Sequence, residues 1–243
     1  MVRFYFMIIT LFPLIVYYII KATYYAGHPE KYDDETCFRL ARKMISIVKK
    51  RGRITTKVYG METLPKTGGY VMYSNHQGRY DALGILGGHP TPCAVVMDYE
   101  RAKKPLSNEF VKLVRGKRLK KNEPRQQVRI MQEIAEELQQ GKRYLLFPEG
   151  GYTDNRNTLQ EFHAGSFKCA QKAHCPIVPV AIWDSYKPFG CNSLKKVTTQ
   201  VHFLEAIPFE HYEGKSTAQI RDMVRGKIEE RMEEIAQKEG RCG

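Results

Sequence analysis

The chain has 243 residues, enough for a substantial buried core and most simply one domain plus an appendage. Lysine and arginine outnumber aspartate and glutamate by 39 to 26, and the resulting charge of +13 favours an anionic partner: nucleic acid, an anionic bilayer or a phosphorylated substrate. Six cysteines (Cys37, Cys93, Cys169, Cys175, Cys191 and Cys242) without a Cys-x-x-Cys argue for reduced thiols facing a cytosol rather than a disulfide framework.

Phe4 to Ile20 is apolar except for Thr10. As a helix it would span about 25 Å, a little short of the roughly 30 Å hydrocarbon core of a bilayer. Pro13 predicts a kink, and Tyr5, Tyr17 and Tyr18 towards the ends suit a membrane interface. Lys21 to Ala26 offers no small-x-small cleavage site, so the segment reads as an uncleaved anchor that either crosses or re-enters. After the turn Gly27-His28-Pro29-Glu30, a helix is predicted over Asp33–Lys50, with Ala41, Met44, Ile45 and Val48 on one face and Arg39, Arg42, Lys43, Lys49 and Lys50 around it. Such a helix can lie on anionic lipid, or pack on the core with a solvated basic face. Residues 1–52 thus form an N-terminal unit of anchoring and amphipathic helices ahead of a globular domain, 53–243.

The globular part alternates. Strands are predicted at Ile54–Tyr59, Tyr70–Ser74, Ala94–Asp98, Arg143–Phe147, Ile177–Trp183 and Val197–Leu204. Helices are predicted at Pro124–Gln140, ended by Gly141, at Ala164–Ala173, and at Thr217–Lys238, capped by Ser216 with Gln219 three residues on. The alternation implies an α/β fold, a single central sheet covered by helices. Leu64-Pro65-Lys66-Thr67-Gly68 lacks the hydrophobic tail of a sorting signal and reads as the turn before a strand.

Tyr70 to Asp81 carries the first candidate chemistry. An apolar run rich in β-formers ends in a polar turn, and His76 and Asp81 follow with four residues between them. On one continuous helix such positions point about 140° apart, so the pair meets only if His76 sits on the loop before a helix and Asp81 in its first turn. Gly78 permits so sharp a turn. A carboxylate on one imidazole nitrogen leaves the other free to take a proton, the base-plus-orienter arrangement of acyl transfer. The bland alternative is a helix-capping histidine beside an unrelated surface aspartate. A second stretch, Arg143 to Asp154, runs from a strand into a turn that delivers Glu149, Gly150 and Gly151, where open α/β folds place ligands. A third, Arg115-Gly116-Lys117-Arg118-Leu119-Lys120-Lys121, can receive a phosphate or simply be a solvated charge run. His163, Cys169, His174 and Cys175 match no familiar zinc spacing, and no metal site is expected.

Taken in order, these stretches resemble the 1-acyl-glycerol-3-phosphate acyltransferase family, the PlsC-like lysophosphatidic acid acyltransferases of bacteria. Asn75-His76-Gln77-Gly78-Arg79-Tyr80-Asp81 fits the family's Asn-His-x-x-x-x-Asp block, Phe147-Pro148-Glu149-Gly150 its Phe-Pro-Glu-Gly block, and Pro176 to Ile182 its later apolar block with an internal proline. The resemblance implies a mostly parallel, glycerolipid-acyltransferase-like sheet, an N-terminal membrane anchor, and His76 and Asp81 as catalytic base and orienter. It implies acyl transfer from acyl-CoA or acyl-carrier protein, as co-substrate and without a further cofactor, to the sn-2 hydroxyl of lysophosphatidic acid. It also implies an anionic membrane surface as partner, at the cytoplasmic face of the bacterial inner membrane. A nucleic-acid partner would explain the charge but not the anchor, and no helix-turn-helix or RNA-binding signature is visible, so none is expected. Two departures stand out. The arginine that ends the family's second block is replaced here by Lys121, with Lys120 or Arg118 as alternatives, and a lysine holds phosphate as a point charge rather than a planar fork. The third block is commonly followed by Thr-Arg-Ser, where this chain has Gly151-Tyr152-Thr153; Arg79 and Lys168 are candidates for the lost charge, with Glu149 and Gly150 retained at the acceptor site. A related O-acyltransferase for another lyso-lipid or glycerol 3-phosphate, and a non-catalytic lipid-binding protein, are the rival readings.

Overall fold

The computed structural model describes residues 2–240, so Cys242 lies outside the described residues. In chain order the elements are α1 (Val2–Thr10), α2 (Phe12–Gly27), α3 (Asp34–Arg51), β1 (Ile54–Tyr59), β2 (Tyr70–Ser74), α4 (Asp81–Gly88), β3 (Ala94–Asp98), α5 (Tyr99–Ala102), α6 (Ser107–Leu113), β4 (Lys117–Leu119), α7 (Pro124–Gln139), β5 (Arg143–Leu146), α8 (Lys168–Ala173), β6 (Ile177–Trp183), α9 (Lys187–Gly190), β7 (Val197–Phe203) and α10 (Thr217–Gly240).

The strands form one sheet in the order β1-β7-β6-β2-β5-β3-β4. Five of them, from β6 to β4, run parallel, and β7 turns antiparallel to β6 and carries β1 with it. Every residue of β2 is buried, as expected of a central parallel strand covered on both faces. Its side chains alternate between two cores. Tyr70 and Met72 pack with Phe38, Ala41 and Ile45 of α3 and Ile85 and Leu86 of α4, whereas Val71 and Tyr73 pack with Ile134 and Leu138 of α7 and Ile220, Val224 and Ile228 of α10. The result is a three-layer sandwich with helices on both sides of the sheet.

The predicted strands agree with the observed ones except that β5 ends at Leu146 and β7 at Phe203, one residue short in each case. β4, α5, α6 and α9 were not anticipated. β4 lies inside the charge run and pairs only at the sheet edge, with β3, so no apolar pattern marks it. The final helix is capped as its sequence implies: Gln219 N–H donates to Ser216 Oγ at 3.3 Å and Ser216 N–H to Gln219 Oε1 at 2.9 Å. Of the two readings of the basic helix, α3 takes the packed one, burying Cys37, Phe38, Leu40, Ala41 and Ile45 and leaving its charges outside.

The N-terminal segment departs from expectation. It is two helices bent by 81°, not one kinked at Pro13, and the break falls at Leu11. Pro13 sits in the first turn of α2, where its missing N–H is not needed, so the proline starts a new helix instead of distorting an old one. No single helix among the described residues is long and apolar enough to cross a membrane; the bent pair passes that test only together. Two arginines tie this arm to the domain. Arg3, 2% exposed, donates to the carbonyl of Pro188 at 2.9 Å and to that of Lys195. Arg115 donates to the carbonyls of Ala26 at 2.8 Å and Tyr32 at 3.1 Å.

Beyond the last residue of β2, a side chain continues the ladder. Buried Asn75 accepts the Ile182 N–H on Oδ1 at 2.8 Å and donates from Nδ2 to the Ile182 carbonyl at 3.1 Å. Replacing it by alanine strands the Ile182 N–H and leaves the Ile182 carbonyl with the bond from Gln77 alone. Asn75→Ala is expected to destabilise the fold by about 2–4 kcal/mol, read as a lowered urea midpoint at unchanged m-value; an unchanged midpoint would show that the clamp carries no weight.

Candidate active site

The C-terminal ends of β2, β5 and β6 lie side by side, with Tyr73 of β2 level with Leu146 of β5 and Pro179 of β6. This is the edge at which open α/β sheets present ligand-binding loops. The loop after β2 carries His76, and Asp81 is the first residue of α4. His76 Nδ1 stands 2.6 Å from Asp81 Oδ2. The same oxygen accepts the N–H groups of Gln77 at 2.5 Å and Gly78 at 2.8 Å, so the loop closes on the carboxylate it faces. The carboxylate is fully buried and the imidazole side chain is 15% exposed. With Nδ1–H donated to the carboxylate, Nε2 keeps its lone pair and is the nitrogen able to take a proton.

Packing fixes the ring further. Phe147, following β5, stacks on the imidazole at 4.3 Å, and Tyr152 meets it edge-on at 4.7 Å. The loop beneath is tied to β6 and to residues 155–157. Gln77 accepts the Ser185 N–H at 2.8 Å and donates to the Ile182 carbonyl and Asn157 Oδ1, both at 3.0 Å, while Asn155 donates to the His76 carbonyl at 3.1 Å. These positioning amides were not legible in advance, since Asn and Gln in loops follow no spacing rule; the polar turn around His76 was their only signal.

Phe147 to Gly150 forms a turn, closed by the Gly150 N–H on the Phe147 carbonyl at 3.0 Å, with Pro148 at the position that suits its fixed φ. Gly150 has φ +67°, and a Cβ there would come 3.1 Å from the His163 ring. The turn inserts Glu149 into the protein, where its Oε2 accepts from Gln160 Nε2 and its Oε1 is buried with no hydrogen-bond partner among the described residues. Burial is the main reason that the Glu149 carboxyl is pushed from its ordinary 4.5 up to about 7; the charge of Asp81 adds to the rise, and polar groups of Gln160 and the His76 backbone oppose it.

The basic candidates are scattered. Arg79 is exposed and its guanidinium lies over the Phe4 ring at 5.9 Å, turned to α1. Arg118 donates to Asn108 Oδ1 at 2.7 Å, and Lys120 pairs with Glu123 at 2.7 Å while lying over the Tyr99 ring. Lys121 reaches the turn itself: a Cβ on Gly151 would stand 3.2 Å from its Nζ. Lys168 is exposed at the start of α8. Cys169 and Cys175 are buried, His174 stacks on Phe209 at 4.3 Å, and no group of three or more His, Cys, Asp or Glu that could hold a metal is found among the described residues. Sequence reasoning missed Arg101, whose guanidinium lies 4.2 Å from the centroid of the Tyr152 ring.

Comparison with known proteins points one way. A family model described as Acyltransferase matches residues 55–183, more than half of the chain. The 1-acyl-sn-glycerol-3-phosphate acyltransferase alpha of Ovis aries is 28% identical over 191 residues, covering 77% of this chain and 66% of that protein, just under two thirds of its length. The Homo sapiens protein of the same name is 28% identical over 77% of this chain and 67% of its own. The crystal structure of the 1-acyl-sn-glycerophosphate (LPA) acyltransferase PlsC from Thermotoga maritima superposes with a TM-score of 0.75, covering 96% of this chain and 95% of that one at 22% identity, and shares the fold.

The raised Glu149 carboxyl has a consequence for stability. Between pH 4.5 and about 7 the folded protein holds a proton that the unfolded chain has released, so stability falls as pH rises through that window. Glu149→Gln removes the dependence. The difference in unfolding free energy, wild type minus variant, is expected to drop by on the order of 2–3 kcal/mol between pH 4.5 and 8 in urea titrations. A difference that stays constant would mean that Glu149 is ionised throughout.

Proposed function

The chain belongs to the acyltransferase family, and from that premise we propose that it moves a fatty acyl group from acyl-CoA or acyl-carrier protein to the sn-2 hydroxyl of lysophosphatidic acid, giving phosphatidic acid. The observation that carries the reading is the 2.6 Å contact between His76 Nδ1 and Asp81 in an imidazole that keeps 15% of its side chain exposed. An alcohol is too weak an acid to ionise at neutral pH, so its attack on a thioester needs a base at the moment of bond formation. In this mechanism Nε2 takes the hydroxyl proton while the oxygen adds to the thioester carbonyl. Asp81 steadies the imidazolium. The tetrahedral intermediate then collapses, the C–S bond breaks, and the imidazolium returns the proton to the departing thiolate.

Transfer is direct, without an acyl-enzyme. In support, the thiols of Cys169 and Cys175 are buried and pushed up to about 11 and about 12, so neither is a ready nucleophile. The names of the sheep and human relatives support the acceptor, and an acceptor that carries a phosphate suits a chain of charge +13.

Membrane attachment through α1 and α2 is part of the proposal, at the cytoplasmic face and, in a bacterium, of the inner membrane. What supports it is the run of large apolar side chains left uncovered on the bent pair: Tyr5, Ile9, Phe12, Tyr17, Ile20 and Tyr24. Aromatic and aliphatic residues on a short, bent helical arm suit the interfacial depth of one leaflet. The clamps at Arg3 and Arg115 then hold the domain at a set orientation to that leaflet.

The test is mass-spectrometric detection of phosphatidic acid formed from lysophosphatidic acid and one acyl thioester in vesicles, against a panel of other acceptors. His76→Ala, with its unfolding midpoint retained, is expected to lose about two to four orders of magnitude in rate, as is Asp81→Asn, which mis-sets the tautomer. Turnover near the wild-type rate by His76→Ala would remove the imidazole from the base role, and a preference for an acceptor without phosphate would reassign the substrate.

A further inference from the structure

Most cations near the site are occupied. Arg118 and Lys120 have partners, and the turn after Glu149 offers no cation of its own until Arg156, which pairs with Asp154 at 3.8 Å. Arg101 differs. It is half-buried, and among the described residues its guanidinium has no carboxylate or side-chain hydrogen-bond partner; its contact is the face of Tyr152, 4.2 Å away. Tyr152 in turn holds its edge against the His76 imidazole, ring centroids 4.7 Å apart at 80°. On the same turn, Lys121 Nζ sits against the bare backbone of Gly151, also without an ion pair among the described residues. A guanidinium, an ammonium and the base therefore all touch one short turn.

A guanidinium stacked on an aromatic face is held in plane while its N–H edge stays free, so the fork is organised before any anion arrives. Bidentate pairing of such a fork with a phosphate is stronger and more directional than a lysine contact. In a glycerol phosphate ester the phosphorus lies only a few bonds from the neighbouring hydroxyl oxygen. One molecule can thus place that hydroxyl on His76 Nε2 and its phosphate on the cation across Tyr152.

We infer that Arg101, held in place by Tyr152 and seconded by Lys121, is the fork that grips the phosphomonoester of the acyl acceptor. The inference rests on the acyltransferase reading above and names its specificity residue. Arg101 touches the acceptor, and Tyr152 is a positioning residue whose ring, not its hydroxyl, matters. The CoA phosphates are the other source of the same chemistry, and the measurement separates the two.

The experiment uses the full chain in detergent and a water-soluble, short-chain lysophosphatidic acid, with binding measured by calorimetry in the absence of donor and steady-state kinetics in its presence. Arg101→Ala is expected to weaken binding and raise the acceptor KM at least tenfold, with kcat changed less. Arg101→Lys is expected to recover part of the loss, and Tyr152→Leu, which takes away the aromatic face, to raise the acceptor KM, a rise that Tyr152→Phe reverses. The KM for acyl-CoA, and kcat/KM for an uncharged monoacylglycerol acceptor, are expected to stay within twofold in Arg101→Ala. Unchanged acceptor binding and KM would overturn the assignment, as would a rise confined to the acyl-CoA KM, which would put Arg101 on the donor. An equal loss for charged and uncharged acceptors with a lowered unfolding midpoint would overturn it too, as a structural effect. If wild type binds the lysophosphatidic acid through Arg101 yet forms no phosphatidic acid, the anion site stands and the acyltransferase reading falls.

Discussion

A carboxylate without solvent access persists in a folded protein only where donors converge on it. At Asp81 the converging donors are two backbone N–H groups and an imidazole, all aimed at one oxygen. The loop that supplies them can take its shape because β2 ends where it does, because Asn75 clamps that end to β6, and because Gln77 ties the next residue to the β6 loop. The buried charge, the loop and the three parallel strand ends are therefore one arrangement. All of them bear on the 2.6 Å contact that holds the imidazole.

Much of this was legible in the sequence because it is local. β2 is an unbroken apolar run, and the interval between His76 and Asp81 admits contact only across a loop-to-helix junction, which is the geometry observed. The parts that were not legible are long-range. Arg101 and Tyr152 come from different segments and meet only because β3 and β5 are neighbours in the sheet. β4 was hidden by its charges, which serve the edge of a sheet and an ion-pair cluster with Glu133 and Glu137 rather than a core. At the N-terminus the proline was recognised as a disruption, but its effect was mislocated: a proline is tolerated in a first turn, so the chain breaks before it.

The electrostatic character of the site follows from how unevenly it is solvated. Among the described residues Glu149 has no cation partner and burial pushes its carboxyl up to about 7, whereas Arg101 and Lys121, from other segments, lie against Tyr152 and Gly151. That separation puts a neutralisable acid and two cations without an ion pair among the described residues at one turn beside the imidazole, an environment suited to the anionic acceptor proposed above. The helical arm carries uncovered apolar side chains and is clamped to the domain through Arg3 and Arg115.

The central claim is that Asp81 fixes the His76 tautomer so that Nε2 carries the lone pair. Nitrogen-15 chemical shifts of the His76 ring in the wild-type protein, recorded where the imidazole is neutral, test it most directly. A protonated Nδ1 beside an unprotonated Nε2, reversed or averaged in Asp81→Asn, is the result expected. A proton resident on Nε2 in the wild type would contradict the account, because the nitrogen required to accept the hydroxyl proton would already be occupied.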